Sequence, residues 1–218
     1  ELIERVSCRD NREYANREIL DPLGLHAFRL GVAIEEQGDI ETLSRVGEQP
    51  SREEREAVTG SSVEWPNMID DSLLVLNEPD VRQLGVPGGG AVSNAAEVAL
   101  FYQALLHNTE ALWSDQVLSD AVGRVRVDYP DPMTGVPANR GLGVVIAGEG
   151  PEVGFRGMGK TVSPAAFGHN GMGGQIAWAD PATGLSFCLL TSGLDVNPIR
   201  SARLGAAVNN RSGRCVAT

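Results

Sequence analysis

Residues 167–181 read Phe-Gly-His-Asn-Gly-Met-Gly-Gly-Gln-Ile-Ala-Trp-Ala-Asp-Pro, and this stretch decides the fold. It sets an exposed polar turn, His169-Asn170-Gly171, against the start of an apolar run. We predict one strand over 174–180, a tight turn over 181–184 and a second strand over 185–191. The turn is therefore expected at the edge of an antiparallel sheet.

The composition of this turn indicates a site where chemistry takes place. Glycine lets backbone N–H groups approach a ligand closely, and an imidazole exchanges a proton near neutral pH. His169 is accordingly a candidate catalytic residue. The alternative is that His169 is a hydrogen-bonding turn residue with a structural role.

The rest of the pattern is a mixture of helices and strands. Helical turns over 1–6 and 13–20 end at Pro22 and Gly24, because proline and glycine stop a helix. Asn94 and Glu97 resemble a capping box at the start of an amphipathic helix. We predict a strand over 140–147, in which Leu142, Val144 and Ile146 alternate, and a closing helix over 197–208, capped near Asn197 and Pro198. The expected class is α/β of the α+β kind, an antiparallel sheet flanked by helices.

The segment 32–83 is expected to be a variable, charged lid or insertion. Its densest charge lies in Ser51-Arg-Glu-Glu-Arg-Glu56, which favours a solvated helix, although loops on a rigid scaffold also set specificity. Trp65, Pro66 and Met68 are candidates either to line a substrate pocket or to anchor this lid.

Charge and composition exclude several classes of function. The net charge of −11 and the pI of about 4.7 argue against nucleic acid or an anionic membrane surface as a partner. No apolar run approaches the ~18 residues that a membrane-spanning helix needs. The three cysteines lie far apart, so we expect free thiols, with Cys188 as a small buried hydrophobe. The sequence leaves the compartment open. The free thiols and the lack of a signal peptide at the start of the sequence favour a cytoplasmic over a secreted protein.

No metal site or cofactor is expected. His26 and His107 have structural interpretations, the second as a cation at a helix C-terminus. With His169 they have no ligand spacing typical of a metal centre. Gly88, Gly89 and Gly90 are not followed by the Lys of a phosphate loop, so we interpret them as a tight turn.

Three passages resemble the serine β-lactamase-like hydrolases, which include class C β-lactamases, D-alanyl-D-alanine peptidases and esterases of the same fold. Asp21-Pro-Leu-Gly-Leu25 is similar to the family's "PLGM" helix end, and the segment 86–101 is similar to its "GGG-x-x-S" loop and helix. The His169-Asn170-Gly171 turn resembles the family's last motif, Lys-Thr-Gly in lactamases and often His-x-Gly in esterases. The likeness covers most of residues 1–31 and 84–210.

The resemblance implies roles for the residues of the turn. His169 would line the site, and Asn170, Gly171 and Gly173 would contact the substrate. The backbone N–H of Met172 would supply half of an oxyanion hole, whose other half comes from the catalytic serine. It also implies a helical subdomain contributing 1–31 and 84–139, and a sheet domain contributing 140–210, followed by a tail at 211–218.

The sequence departs from the family at its nucleophile. The family acylates the Ser of a Ser-x-x-Lys motif, whereas the single lysine here, Lys160, is preceded three positions earlier by Gly157. The string Tyr14-Ala15-Asn16 matches the family's Tyr-x-Asn but lies in a segment that follows the real motif. We therefore expect the N-terminal part of the fold, with both motifs, on a segment outside this sequence, in the same or another chain.

The resemblance implies a serine hydrolase that acts on a small ester or amide. Because His is mostly neutral at pH 7, His169 would attract a substrate carboxylate less than the lactamase Lys, which favours a carboxylesterase for short-chain esters. This fragment alone is expected to be inactive. Two alternatives stay open: a β-lactamase or D-alanyl-D-alanine peptidase, and a non-catalytic binding or assembly module of the same fold.

Overall fold

The computed structural model describes residues 1–60, 71–132 and 134–216. Trp65, Pro66 and Met68, for which the sequence leaves a pocket or an anchor role open, lie outside these described residues.

A four-stranded antiparallel sheet is the centre of the fold. Its order is β4 (Val145–Ile146), β5 (Phe167–Asn170), β6 (Ile176–Asp180) and β7 (Leu185–Leu189). The predicted pair of strands around the 181–184 turn is thus confirmed. In the β5–β6 register, Phe167 faces Ala179 and Asn170 faces Ile176, which fixes the position of the His169 segment.

Two small sheets flank the centre. The antiparallel pair joins β1 (Arg29–Leu30) to β3 (Ala91–Val92). The other pair, which the sequence pattern did not predict, is parallel and joins β2 (Ser44–Val46) to β8 (Gly193–Asp195). It ties the charged segment to the end of the sheet region.

The helices surround this framework. Their bounds are α1 Leu2–Ser7, α2 Asn11–Ala15, α3 Arg52–Thr59, α4 Asp71–Leu74, α5 Pro79–Leu84, α6 Ala95–His107, α7 Asp115–Val122 and α8 Pro198–Ser212. A π-helix, Asn16–Leu20, continues α2, and short 3-10 turns occupy Ile34–Asp39, Val75–Asn77, Pro151–Arg156 and Met172–Gly174. As the sequence predicts, Asn197 caps α8 by accepting a hydrogen bond from the Arg200 amide at 3.0 Å.

The sheet buries both of its faces, which explains why β6 reads as a continuous apolar run. On one face Ile146, Phe167 and Ala179 pack against Tyr102 of α6. The other face buries a second cluster: Val145, Ala147, Met158, Ala166, Ile176 and Trp178. Cys188, predicted to be buried, is half-buried against the first cluster, and burial raises the pKa of its thiol to about 11.

The helix α8 is joined to the second face by one buried side chain. Asn209, 1% exposed, accepts a hydrogen bond from the Trp178 indole N–H at 2.8 Å and donates one to the Gly157 carbonyl at 2.8 Å. A single amide therefore connects a helix, a central strand and the loop at 157–160.

Two predicted features differ from the structure. The strand expected over 140–147 is confined to Val145–Ile146, because Gly143 takes a left-handed backbone (φ +78°) and Leu142 turns outward, 56% exposed. The capping box at α6 is one-sided. Asn94 does accept from the Glu97 amide at 2.9 Å, but the Glu97 carboxylate instead accepts from the amides of Ala27 and Phe28.

Candidate active site

His169 and Asn170 lie at the exposed end of β5. They pair with Ala177 and Ile176 of β6 and therefore belong to the strand. The polar pattern had predicted a turn at both positions. The preceding residues of the strand, Phe167 and Gly168, are buried. The sequence thus changes from core to solvent within one strand, and its last two residues project from a rigid support.

The turn itself runs from Gly171 to Gln175. The Gly171 amide donates to the Gln175 carbonyl at 2.7 Å and closes the turn. The Gln175 side chain then bonds both backbone groups of Thr191, each at 2.8 Å, and so ties the turn to the end of β7. Within it, Met172 is 45% exposed, and its backbone N–H has no hydrogen-bond partner among the described residues.

Gly173 is at a position where only glycine fits well. Its φ is +76°, and a Cβ there would lie 2.3 Å from Cδ2 of Leu194 in β8. Since β8 pairs with β2, the turn is supported from beneath by the small parallel sheet.

The Asn170 side chain rests against Gly157. A Cβ at Gly157 would lie 3.1 Å from both Cβ and Cγ of Asn170, so the missing side chain leaves room for this contact. The neighbouring Arg156 is buried and donates to the carbonyls of Pro137 (3.1 Å) and Ala147 (2.7 Å). The loop behind Asn170 is therefore held by hydrogen bonds to its surroundings.

His169 contacts a cation. Its Nε2 lies 3.3 Å from Nη1 of Arg140, and its Nδ1 lies 2.6 Å from the backbone oxygen of Asn170. On its far side the Arg140 guanidinium lies 3.4 Å from Oδ2 of Asp131. Asp131, Arg140 and His169 thus form a row beside the exposed end of β5.

Sequence reasoning missed Arg140 and Asp131. Isolated bridges Val127↔Arg140 and Arg140↔Val145 extend the sheet beyond β4, and this places the Arg140 side chain near the end of β5. The available signal was the order of the strands: in antiparallel neighbours, the start of one strand lies beside the end of the next. Residues at the start of the strand predicted over 140–147 could therefore have been considered as neighbours of His169.

The other candidates do not join this site. Tyr14 lies in α2 and makes no hydrogen bond with His169 or Arg140, while His107 ends α6. A recess of about 700 Å³ opens beside the π-helix, but its lining does not include His169. Across the described ranges, no three His, Cys, Asp or Glu side chains are grouped so that they could hold a metal ion.

Comparison with known proteins shows the family and the fold of the chain. The model of the family described as Beta-lactamase matches residues 1–209. The chain belongs to the beta-lactamase family. The fold of the chain also matches solved structures of low sequence identity. A penicillin-binding protein homologue from Caulobacter crescentus aligns with a TM-score of 0.64 and 23% identity. EstA from Arthrobacter nitroguajacolicus Rue61a aligns with a TM-score of 0.66 and 19% identity.

Coverage of these relatives is unequal. The two structures cover 94% and 95% of this chain, whereas the chain covers 54% and 55% of theirs, so it spans about half their length. The esterase/beta-lactamase LipL of Mycobacterium tuberculosis is 30% identical over 133 residues, which are 59% of this chain and 28% of LipL. In the part of the chain that the structure describes, no helix is both long and apolar enough to cross a membrane.

Proposed function

We propose that this chain forms one wall of the acyl-transfer site of a serine hydrolase, a carboxylesterase that acts on short-chain esters. The observation that carries the proposal is the exposed end of β5, where His169 and Asn170 lead into a turn whose Met172 amide is free to donate. Membership of the beta-lactamase family supports it, and so do the names of the relatives LipL and EstA.

The wall consists of residues 169–173, and each of them has a proposed role. The Met172 N–H donates to the carbonyl oxygen as it becomes negative, while Asn170, Gly171 and Gly173 shape the surface that faces the substrate. His169 lines the same surface. One oxyanion donor is worth a factor of about 10²–10³ in rate, so the wall makes a large contribution even though it carries no nucleophile.

The nucleophile is proposed to lie on a segment outside the printed sequence, in the same or another chain. No Ser-x-x-Lys occurs in this sequence, and covalent acyl transfer requires an activated hydroxyl. That serine would attack the ester carbonyl, the alcohol would leave, and water would then hydrolyse the acyl-enzyme. Without it, residues 1–218 alone are expected to be inactive.

A second candidate is a β-lactamase or D-alanyl-D-alanine peptidase. The Arg140 guanidinium favours it, because it puts a cation 3.3 Å from His169, the residue that resembles the Lys of the lactamase motif in position. Hydrolysis of p-nitrophenyl butyrate and of a chromogenic cephalosporin by the full-length protein separates the two. Ester turnover alone supports the esterase, and cephalosporin turnover alone supports the lactamase. Turnover of neither leaves a non-catalytic binding or assembly module of this fold.

A further inference from the structure

Both ring nitrogens of His169 meet groups whose hydrogen-bonding roles are fixed. The backbone oxygen of Asn170, 2.6 Å from Nδ1, can only accept, and the guanidinium of Arg140, 3.3 Å from Nε2, can only donate. A neutral ring with its proton on Nδ1 satisfies both contacts at once. In that arrangement the lone pair of Nε2 is directed at Arg140.

The guanidinium keeps donors that these contacts do not use. Its Nη1 faces His169 and its Nη2 faces Asp131 at 3.4 Å, but an arginine carries five N–H donors. The Arg140 side chain is 45% exposed, so a ligand at the end of β5 can reach it. Because Asp131 and His169 contact two different nitrogens of the guanidinium, they restrict where the remaining donors point.

We infer that Arg140 is the residue beside this wall that donates to a negatively charged oxygen of the substrate, and that His169 is its positioning residue. The inference rests on the proposed function and adds a specificity-determining residue to it. It reverses the roles that the motif alone suggests: the imidazole accepts, and the charge belongs to the arginine that it holds. A lysine at position 169 would put an ammonium group against this guanidinium.

The first test compares two matched substrates of the full-length protein, p-nitrophenyl butyrate and the p-nitrophenyl half-ester of succinic acid. Arg140→Met is expected to lower kcat/KM for the half-ester about tenfold or more, as for loss of a hydrogen bond to a charged group. Loss with the half-ester alone identifies a substrate carboxylate as the partner of Arg140. Equal loss with both esters would overturn the inference, because the butyrate ester carries no charged oxygen for Arg140 to recognise.

The matched control is Arg126→Met, which removes a cation from the segment paired with Arg140, since the Arg126 amide donates to the Arg140 carbonyl at 2.7 Å. Arg126 pairs with Asp120 of α7 and not with the site, so both rates are expected to stay within about twofold of the wild-type rates, the level of a surface substitution. If a folded Arg140→Met protein behaved like this control with both esters, the inference would be overturned.

Substitutions at position 169 test its role as a positioning residue. His169→Gln keeps an acceptor for Arg140 and is expected to retain kcat/KM within about threefold, less than one hydrogen bond is worth. His169→Lys replaces the acceptor with a like charge and is expected to lose about tenfold or more. An active lysine variant beside an inactive glutamine variant would contradict the assignment.

A spectroscopic measurement keeps the inference testable if neither ester is hydrolysed, an outcome that would count against the proposed function alone. Nitrogen-15 spectra of the imidazole ring should be recorded at a pH about two units above the ordinary His pKa of about 6.5. They should show the proton of His169 on Nδ1. Addition of monomethyl succinate should shift these signals in the wild type and not in Arg140→Met. A proton on Nε2, or no shift in the wild type, would overturn the inference.

Discussion

The Gly173 position couples the turn of the candidate site to the small parallel sheet. Its left-handed backbone and the nearness of Leu194 mean that an alanine meets two costs there, one from φ and one from contact. Gly184, in the turn between β6 and β7, also has positive φ (+71°), but a methyl group added there would have nothing within 4 Å. The two glycines form a matched pair in which only the contact differs.

We predict that Gly184→Ala lowers the free energy of unfolding by about 1–2 kcal/mol, the cost of a left-handed alanine. Gly173→Ala should lower it further, because Leu194 must move, and should also displace the Met172 amide. Urea unfolding of both variants measures the difference. Equal losses would show that Leu194 does not hold the turn.

Asp195 predicts a dependence of stability on pH. Its carboxylate accepts two hydrogen bonds from Arg200, each at 2.7 Å, and these, with the Asn197 amide, lower its pKa below the ordinary value. Because the pKa of Asp195 is lower in the folded state, the ionised carboxylate stabilises the folded protein, and this contribution is complete above the ordinary Asp pKa of about 3.9. This contribution is lost as the pH falls through the lower folded value.

Asp195→Asn should therefore reduce the melting temperature at neutral pH, and the difference from the wild type should close as the pH falls below about 4. Thermal unfolding followed by circular dichroism from neutral to acid pH provides the measurement. A difference that stays constant down to strongly acid pH would mean that the Asp195–Arg200 pair does not cause it.

Among the elements, α8 depends on the hydrogen bond between Trp178 and Asn209. Trp178→Phe leaves the buried Asn209 oxygen without its donor, which costs about 1–3 kcal/mol in addition to the lost ring volume. Because Asn209 also bonds Gly157, the loop behind Asn170 should loosen as well.

Trp113→Phe is the matched control. Trp113 is half-buried, and its indole N–H has no hydrogen bond within the described ranges. Chemical denaturation should show a smaller loss for this variant. If the two tryptophan substitutions cost the same, the Asn209 bridge would not be what fixes α8 on the sheet.

Elements whose signals are local could be predicted from the sequence. The strands around residues 181–184 combine apolar runs with a short turn, and α8 begins at an Asn-Pro pair that caps and starts a helix. Contacts between segments distant in sequence could not be predicted in this way. Glu97 leaves its helix start for the Ala27 and Phe28 amides, and Arg140 reaches His169, because tertiary packing brings these groups together.

On the scale of the whole molecule, the proposed function assigns this chain one side of a site. The central sheet ends at β7, which pairs only with β6 among the described residues. The chain spans about half the length of the solved structures that it matches. The proposed acyl transfer requires an activated serine, and we propose that it lies on a segment outside residues 1–218.

Intact mass spectrometry of the native protein, before and after treatment with a fluorophosphonate, tests this requirement most directly. We predict one adduct, either on a protein heavier than 23.1 kDa that contains this sequence or on a second chain bound to it, and peptide mapping should place the adduct on a serine outside the printed sequence. An adduct on a serine within residues 1–218, or a folded protein of any length that gains none, would contradict it.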